Sequence, residues 1–241
     1  MKVKNEIKYL YNDGIGSIQL VDYMGEDIKV VNSARVSFGV HKESLDEKDK
    51  KLINYLVKHK HTSTLEHNLA TFIIKVPLFV RSQHHRHRTW SYNEISRRYT
   101  DFNLEFYTPE AFRTQHKTNR QASNNELINP EIDSSILLSH TDKAYNNISD
   151  CVKYHCDMSI KLYESMIEAG VCKEQARGVL PQNMYTEYYA TANLNNILKF
   201  VDLRTHDGAQ WEIQVLANEI LNIIKDLWPE TVESYIRNKK V

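Results

Sequence analysis

Between Arg81 and Tyr99 the chain reads RSQHHRHRTWSYNEISRRY, with five arginines, three histidines and Glu94 as the only acid. No fold can bury so many guanidinium groups without partners, because desolvating an unpaired charge costs several kcal/mol against a marginal net stability. The segment must therefore run along a surface or line a polar cleft, with the rest of the chain folded around it. Lys+Arg 31 balances Asp+Glu 31 over the 241 residues. The positive field is thus local, and no overall charge draws the protein onto nucleic acid or an anionic membrane. A hydrophobic share of 41% supplies a core, while 7 glycines and 5 prolines exclude collagen-like and low-complexity chains.

The flanking sequence reads as helices and strands without regular alternation. Residues 17–23 alternate as a strand, and 27–36 form a short helix beginning at an acidic residue. Ser44-x-x-Glu47 reads as a capping box ahead of Leu52, Tyr55, Leu56 and His59 at helical spacing. The β-branched run 70–76 is a strand, with Pro77 as the first residue of a helix reaching to near Arg88. The run 114–129 is polar and aperiodic, so it reads as a surface loop. Tyr145, Ile148, Val152, Cys156, Tyr163, Met166 and Ile167 form one stripe of a long helix stopping at Gly170. Residues 184–192 are an aromatic-rich strand. Ile213, Ala217, Ile220, Ile224 and Leu227 mark a helix halted by Pro229. The expected class is α+β: mixed helices and a small antiparallel-type sheet in a single domain spanning 1–241, with 114–129 as a polar surface insert.

The arginine segment suits anions. On a helix over 77–88, Arg81, His84, His85 and Arg88 would share a face and repel unless an anion lay nearby. Guanidinium binds phosphate in a bidentate fork, so phosphorylated ligands are natural partners; a solvated basic face paired with acids elsewhere is the plainer alternative. His61, His67, His84, His85 and His87 invite a metal, yet there is no HExxH, no nearby cysteine and no paired carboxylate, and no metal is expected. Stacking of single-stranded nucleic acid on Trp90, Tyr92 and Tyr99 is physically possible, but zero net charge counts against it. Cys151, Cys156 and Cys172 show no CxxC spacing, which points to a reducing, cytoplasmic setting. The segment Met1–Glu6 lacks the apolar run of a signal peptide, and no stretch is long and apolar enough to span a membrane.

Arg86-His87-Arg88, seven residues, then Ser96 matches the RHRx7S signature of flavin-dependent thymidylate synthases, and Ser91, Asn93-Glu94 and Arg98-Tyr99 complete its extension RHRxxSxNExSxRY. The chain resembles that family also at Ala34-Arg35-Val36-Ser37, at residues 71–80, at Ala176-Arg177 with Val179-Leu180-Pro181, and at Leu203-Arg204 with Ala209-Gln210-Trp211-Glu212-Ile213. The resemblance implies reductive methylation of dUMP to dTMP, with methylenetetrahydrofolate as carbon donor and NADPH reducing a bound FAD. It implies a homotetramer with active sites at subunit interfaces, acting on small molecules, without nucleic-acid or membrane partners. Matched positions give Gln83, Arg86, Glu94, Ser96, Arg97, Arg98, Arg177 and Arg204 to dUMP, with Arg204 also catalytic as the cation that stabilises charge on the uracil ring. Ser63, Arg86, His87, Arg88, Asn193, Asn195 and Lys199 fall at the flavin.

Duller roles exist for several of these residues. Ser63 with Glu66 could start a helix, Asn193 could cap one, and Arg177 and Arg204 could be ordinary ion-pair partners. Ser96 lacks an assignable Ser-His-Asp arrangement and reads as a ligand-binding hydroxyl. The flavin-free thymidylate synthases need a thiolate in a Pro-Cys-His context, which is absent; Cys151 and Cys156 read as small buried hydrophobes. Asn195 replaces a frequent arginine, Lys199 a frequent asparagine, Gly208 a histidine, Ser63 a common threonine, and His84-His85 an apolar or aromatic pair. Lys199 is expected to supply charge that Asn195 lacks. The competing reading is a non-catalytic protein of the same fold that binds a nucleotide or single-stranded nucleic acid.

Overall fold

The computed structural model describes residues 6–101, 103–132 and 147–239. In chain order its elements are β1 (Ile7–Tyr9), β2 (Ser17–Met24), α1 (Asp27–Arg35), α2 (Glu47–Lys58), β3 (Leu69–Pro77), α3 (Leu78–His84), β4 (Ser91–Glu94), β5 (Phe112–Gln115), β6 (Ser123–Ile128), α4 (Ile148–Glu168), α5 (Lys173–Ala176), β7 (Tyr185–Asn193), α6 (Leu194–Arg204), α7 (Trp211–Leu227) and α8 (Pro229–Asn238). Five strands hydrogen-bond in the order β1-β2-β3-β7-β4, and β5 pairs with β6 separately. Both pairings with an assigned register are antiparallel, Ile7 facing Gln19 in one and Phe112 facing Ile128 in the other. Helices mixed with a small antiparallel sheet are the α+β class expected.

The chain forms two compact units, one of Met1–Ile74, Gln83–Asn93 and Tyr188–Val241, the other of Lys75–Ser82 and Glu94–Glu187. In the first, strand alternation buries Ile18 and Leu20 of β2, and Ala70, Phe72 and Ile74 of β3. Phe200 of α6, Ile213 of α7 and Trp228 complete that core. Gly25 ends β2 at φ +93°, and a Cβ there would meet the Asn68 side chain at 2.1 Å, so only glycine fits the turn. Its carbonyl accepts from Trp228 Nε1 at 3.0 Å. The buried Asp27 carboxylate accepts from the Glu230 and Thr231 amides at 2.9 and 3.0 Å, capping α8 from 200 residues away in sequence. In the second unit, Tyr163, Ala176, Leu180 and Met184 form the buried core, with Leu104, Phe106 and Met166 packed around them.

Several local expectations change. The cap of α2 is Asp46, not Ser44: its carboxylate accepts from Lys48 and Asp49, and Asp49 reciprocates. The buried face of that helix is accordingly Asp49, Ile53 and Leu56, while Tyr55 stays exposed. α3 ends at His84, well short of Arg88, because the chain turns where the His87 amide donates to the His84 carbonyl. Pro77 closes β3 and precedes that helix. The polar run 114–129 is exposed, but much of it pairs as the β5–β6 hairpin; with both faces in water it shows no apolar period. α4 stops before Gly170, at φ +88°, as expected, and buries Cys151, Cys156 and Tyr163. Tyr145 lies outside the described residues. Pro229 halts α7 and also starts α8, a helix the sequence reading did not anticipate.

Candidate active site

The first unit gathers its candidate residues on the turn after α3. Arg204, the last residue of α6, donates from Nε to His87 Nε2 at 3.1 Å and from Nη2 to the Gln83 carbonyl at 3.1 Å. Burial and the Arg204 charge push the His87 imidazole down to about 4, so it is neutral at pH 7. With Nε2 accepting, its proton resides on Nδ1. Burial also lowers the Arg204 guanidinium from its usual value, yet an arginine stays charged at neutral pH. Two of its five N–H groups are thereby engaged, and the remainder have no hydrogen-bond partner among the described residues. The Gln83 side chain donates to Gln210 Oε1 at 2.5 Å, and Gln210 donates on to Glu212 at 2.9 Å.

Beneath the turn lies an aromatic box. His84 is fully buried, with Nδ1 at 2.9 Å from the Tyr188 hydroxyl, its ring edge-on to Trp90 at 4.7 Å and against Phe200 at 4.6 Å. Desolvation first, then His87, His85 and Arg204, hold its pKa well below the usual value. His84 therefore belongs to the core, not to a cationic face, because α3 ends there and the chain folds inward. Arg86 and Arg88 follow on the exposed turn, with no acidic partner among the described residues.

The remaining flavin candidates of this unit separate into two kinds. Ser63 lies in a 3-10 turn (Thr62–Leu65) whose cap is His61, so a Ser63 helix start does not form. Asn193 does cap α6, accepting from the Asn196 amide at 3.0 Å. Asn195 is buried and donates to Glu66 Oε1 at 3.0 Å, whereas Lys199, one turn on, is exposed.

In the second unit two of the candidates, Glu94 and Arg98, sit in ion pairs, and the others bond to backbone groups. Glu94 pairs with Arg81 Nε at 3.1 Å and accepts from the Thr186 hydroxyl at 2.6 Å. Ser96 Oγ accepts from the Arg98 amide at 3.3 Å. Arg97 donates to the Asn103 carbonyl at 3.1 Å, with its pKa lowered by burial. Arg98 pairs with the Glu174 carboxylate at 3.1 Å, and Arg177 donates to the Glu174 carbonyl at 3.3 Å. The Cys156 thiol is pushed up by burial and accepts from Asn183 at 3.2 Å, unsuited to act as a thiolate nucleophile. Among the described residues no three or more His, Cys, Asp or Glu gather as a metal site. Nor is any helix among them long and apolar enough to cross a membrane.

Glu66, Gln210 and Glu174 escaped the sequence reading as site residues. Gln210 lies inside the quoted Ala209–Ile213 match, so a signal existed for it. Glu174 offers none, since one acid before Ala176-Arg177 looks like any exposed helix residue.

Exposed arginines on the turn after α3, with Arg204 seated against a neutral histidine, suit phosphorylated small molecules. The family described as "Thymidylate synthase complementing protein" matches residues 19–230. A flavin-dependent thymidylate synthase of Thermus thermophilus is 42% identical over 214 residues, covering 89% of this chain and 73% of that protein. One from Thermosipho melanesiensis is 39% identical over 222 residues, covering 92% and 91%. A crystal structure of the UMP/dUMP methylase PolB from Streptomyces cacaoi, bound with 5-Br dUMP, superposes with TM-score 0.76 at 28% identity, over 98% of this chain and 97% of that one. The chain belongs to the flavin-dependent thymidylate synthase family.

Proposed function

We propose that the protein methylates dUMP to dTMP, with methylenetetrahydrofolate as carbon donor and a bound FAD reduced by NADPH. The observation that carries this reading is the seating of Arg204. Its guanidinium is half-buried, oriented by His87 and the Gln83 carbonyl, and keeps N–H donors unspent among the described residues. As uracil C5 attacks an electrophilic carbon, negative charge grows on the ring oxygens and N3. A cation already fixed beside them stabilises that charge without reorganising. His87 contributes by staying neutral: a protonated ring would lose the Nε2 acceptor and repel Arg204.

FAD fits the residues present, because the guanidinium groups of Arg86 and Arg88, exposed and without an acidic partner among the described residues, offer bidentate donors to a dinucleotide's phosphates. Ser63, His87, Asn193, Asn195 and Lys199 would complete its contacts, with Lys199 supplying positive charge beside the neutral Asn195. When bound, the flavin supplies the redox and one-carbon chemistry. The resemblance assigns Gln83, Arg86, Glu94, Ser96, Arg97, Arg98, Arg177 and Arg204 to dUMP, with Arg98 exchanging the Glu174 carboxylate for phosphate. The chain would work as one domain in a homotetramer whose sites lie between subunits, in the cytoplasm. The large exposures of Val36 (74%) and Phe38 (82%) support a further copy covering that surface.

The test is direct. Protein incubated with dUMP, methylenetetrahydrofolate and NADPH should yield a nucleotide of dTMP mass, and the purified protein should be yellow and bleach under NADPH. A colourless protein with salt-sensitive polynucleotide affinity and no product would overturn the reading.

A further inference from the structure

Tyr92 occupies a position that the arginine motif leaves open, between Ser91 and Asn93. Its hydroxyl lies 3.0 Å from the His84 carbonyl and 3.1 Å from the His87 carbonyl, so one proton is shared across the two ends of the turn. The ring packs against His85 at 4.1 Å and meets the His84 ring edge-on at 5.3 Å. Burial raises the phenol's pKa, which keeps the hydroxyl a donor. Arg204 takes the Gln83 carbonyl and the His87 ring of the same turn. Four acceptors within residues 83–87 are thus held by two side chains, one from β4 directly after the turn and one from the end of α6.

We infer that Tyr92 is a positioning residue for Arg204. Its hydroxyl pins the backbone of residues 84–87, which sets where the His87 ring and the Gln83 carbonyl meet the guanidinium. The histidine ring then orients Arg204 toward the pyrimidine, an assignment that rests on the methylation proposed above. Both carbonyls keep a backbone donor, the His87 amide at 2.9 Å and the Trp90 amide at 3.3 Å. Removing the hydroxyl therefore loosens the turn without leaving a buried carbonyl bare.

Tyr92→Phe keeps the ring packing and deletes the hydroxyl alone. Expected are a kcat lower by about tenfold with the dUMP KM within about threefold, since misplacing a group that acts in the transition state lowers kcat. A second readout needs no activity: the His87 imidazole, followed by NMR in flavin-free protein, should titrate higher in Tyr92→Phe than in the parent, as the loosened turn admits water. A circular-dichroism melt establishes that the variant is folded. An unchanged kcat in an active parent, or an unchanged His87 titration, would overturn the inference. A parent that makes no dTMP would instead remove the functional reading and leave the titration to decide on Tyr92.

Discussion

Arg204 in the first unit and Arg98 in the second are both arginines expected at dUMP, yet they are held by opposite means. Arg204 is half-buried against a neutral imidazole and a backbone carbonyl, neither of which carries charge. Arg98 is half-exposed and paired with the exposed carboxylate of Glu174. Neutral acceptors orient a cation without satisfying its charge, so Arg204 keeps its full field for a ligand. A solvent-exposed ion pair contributes only about 0–1 kcal/mol and is readily exchanged. On the function proposed above, the contrast teaches that one arginine is fixed in advance for chemistry, while the other waits in a weak pair that an anion can replace.

The largest effect follows from removing the fixed cation. Arg204→Ala should lower dTMP formation by roughly 10²–10³-fold, the usual loss for a preorganised charge-stabilising donor, while flavin absorbance is retained. Retained turnover would erase the distinction between the two arginines. His87→Gln comes next: an amide oxygen can still accept from Arg204, so the variant should outperform His87→Ala by about tenfold in kcat, a part of the same electrostatic contribution.

The neutrality of His87 also has a signature in stability. Its folded pKa of about 4 lies below the ordinary imidazole value of 6.5, so the unfolded chain binds more protons between those values. Stability should then rise with pH across that window and be lost as pH falls through it. Denaturant melts from pH 4 to 6.5 should show a shallower pH slope for His87→Gln; an equal slope would mean the imidazole titrates normally. The smallest effect is expected at the exposed pair. Glu174→Gln should shift unfolding free energy by less than about 1 kcal/mol, as exposed pairs do, and a larger loss in a denaturant titration would show that Arg98 is fixed after all.

What the sequence made legible follows the same division. The Arg86–Tyr99 motif and the β3 alternation are written in consecutive residues, so chemistry and strand could be read directly. The Arg204 seat could not, because His87 and Gln83 stand 117 and 121 residues away and only folding brings them together. His84 read as a member of a cationic face because helix spacing was extended through Arg88; the turn at His84 sends it into the aromatic box instead. α8 is hidden in the sequence because Pro229 reads as a stop, while the buried Asp27 that caps its first turn lies 203 residues away. Ser44 reads as the α2 cap because Ser-x-x-Glu and Asp-x-x-Asp overlap two residues apart, and only the backbone angles at Asp46 decide between them.

The sharpest measurement is turnover of Arg204→Lys, followed by the mass of the nucleotide product at saturating dUMP. Lysine keeps the charge but lacks the planar fork that meets His87 and the Gln83 carbonyl together. If orientation by neutral acceptors is what makes Arg204 effective, dTMP formation should drop by about 10²-fold while the protein stays yellow. Formation within about threefold of the parent would mean that charge alone suffices, and the seat built by His87 and Gln83 would have no part in the chemistry.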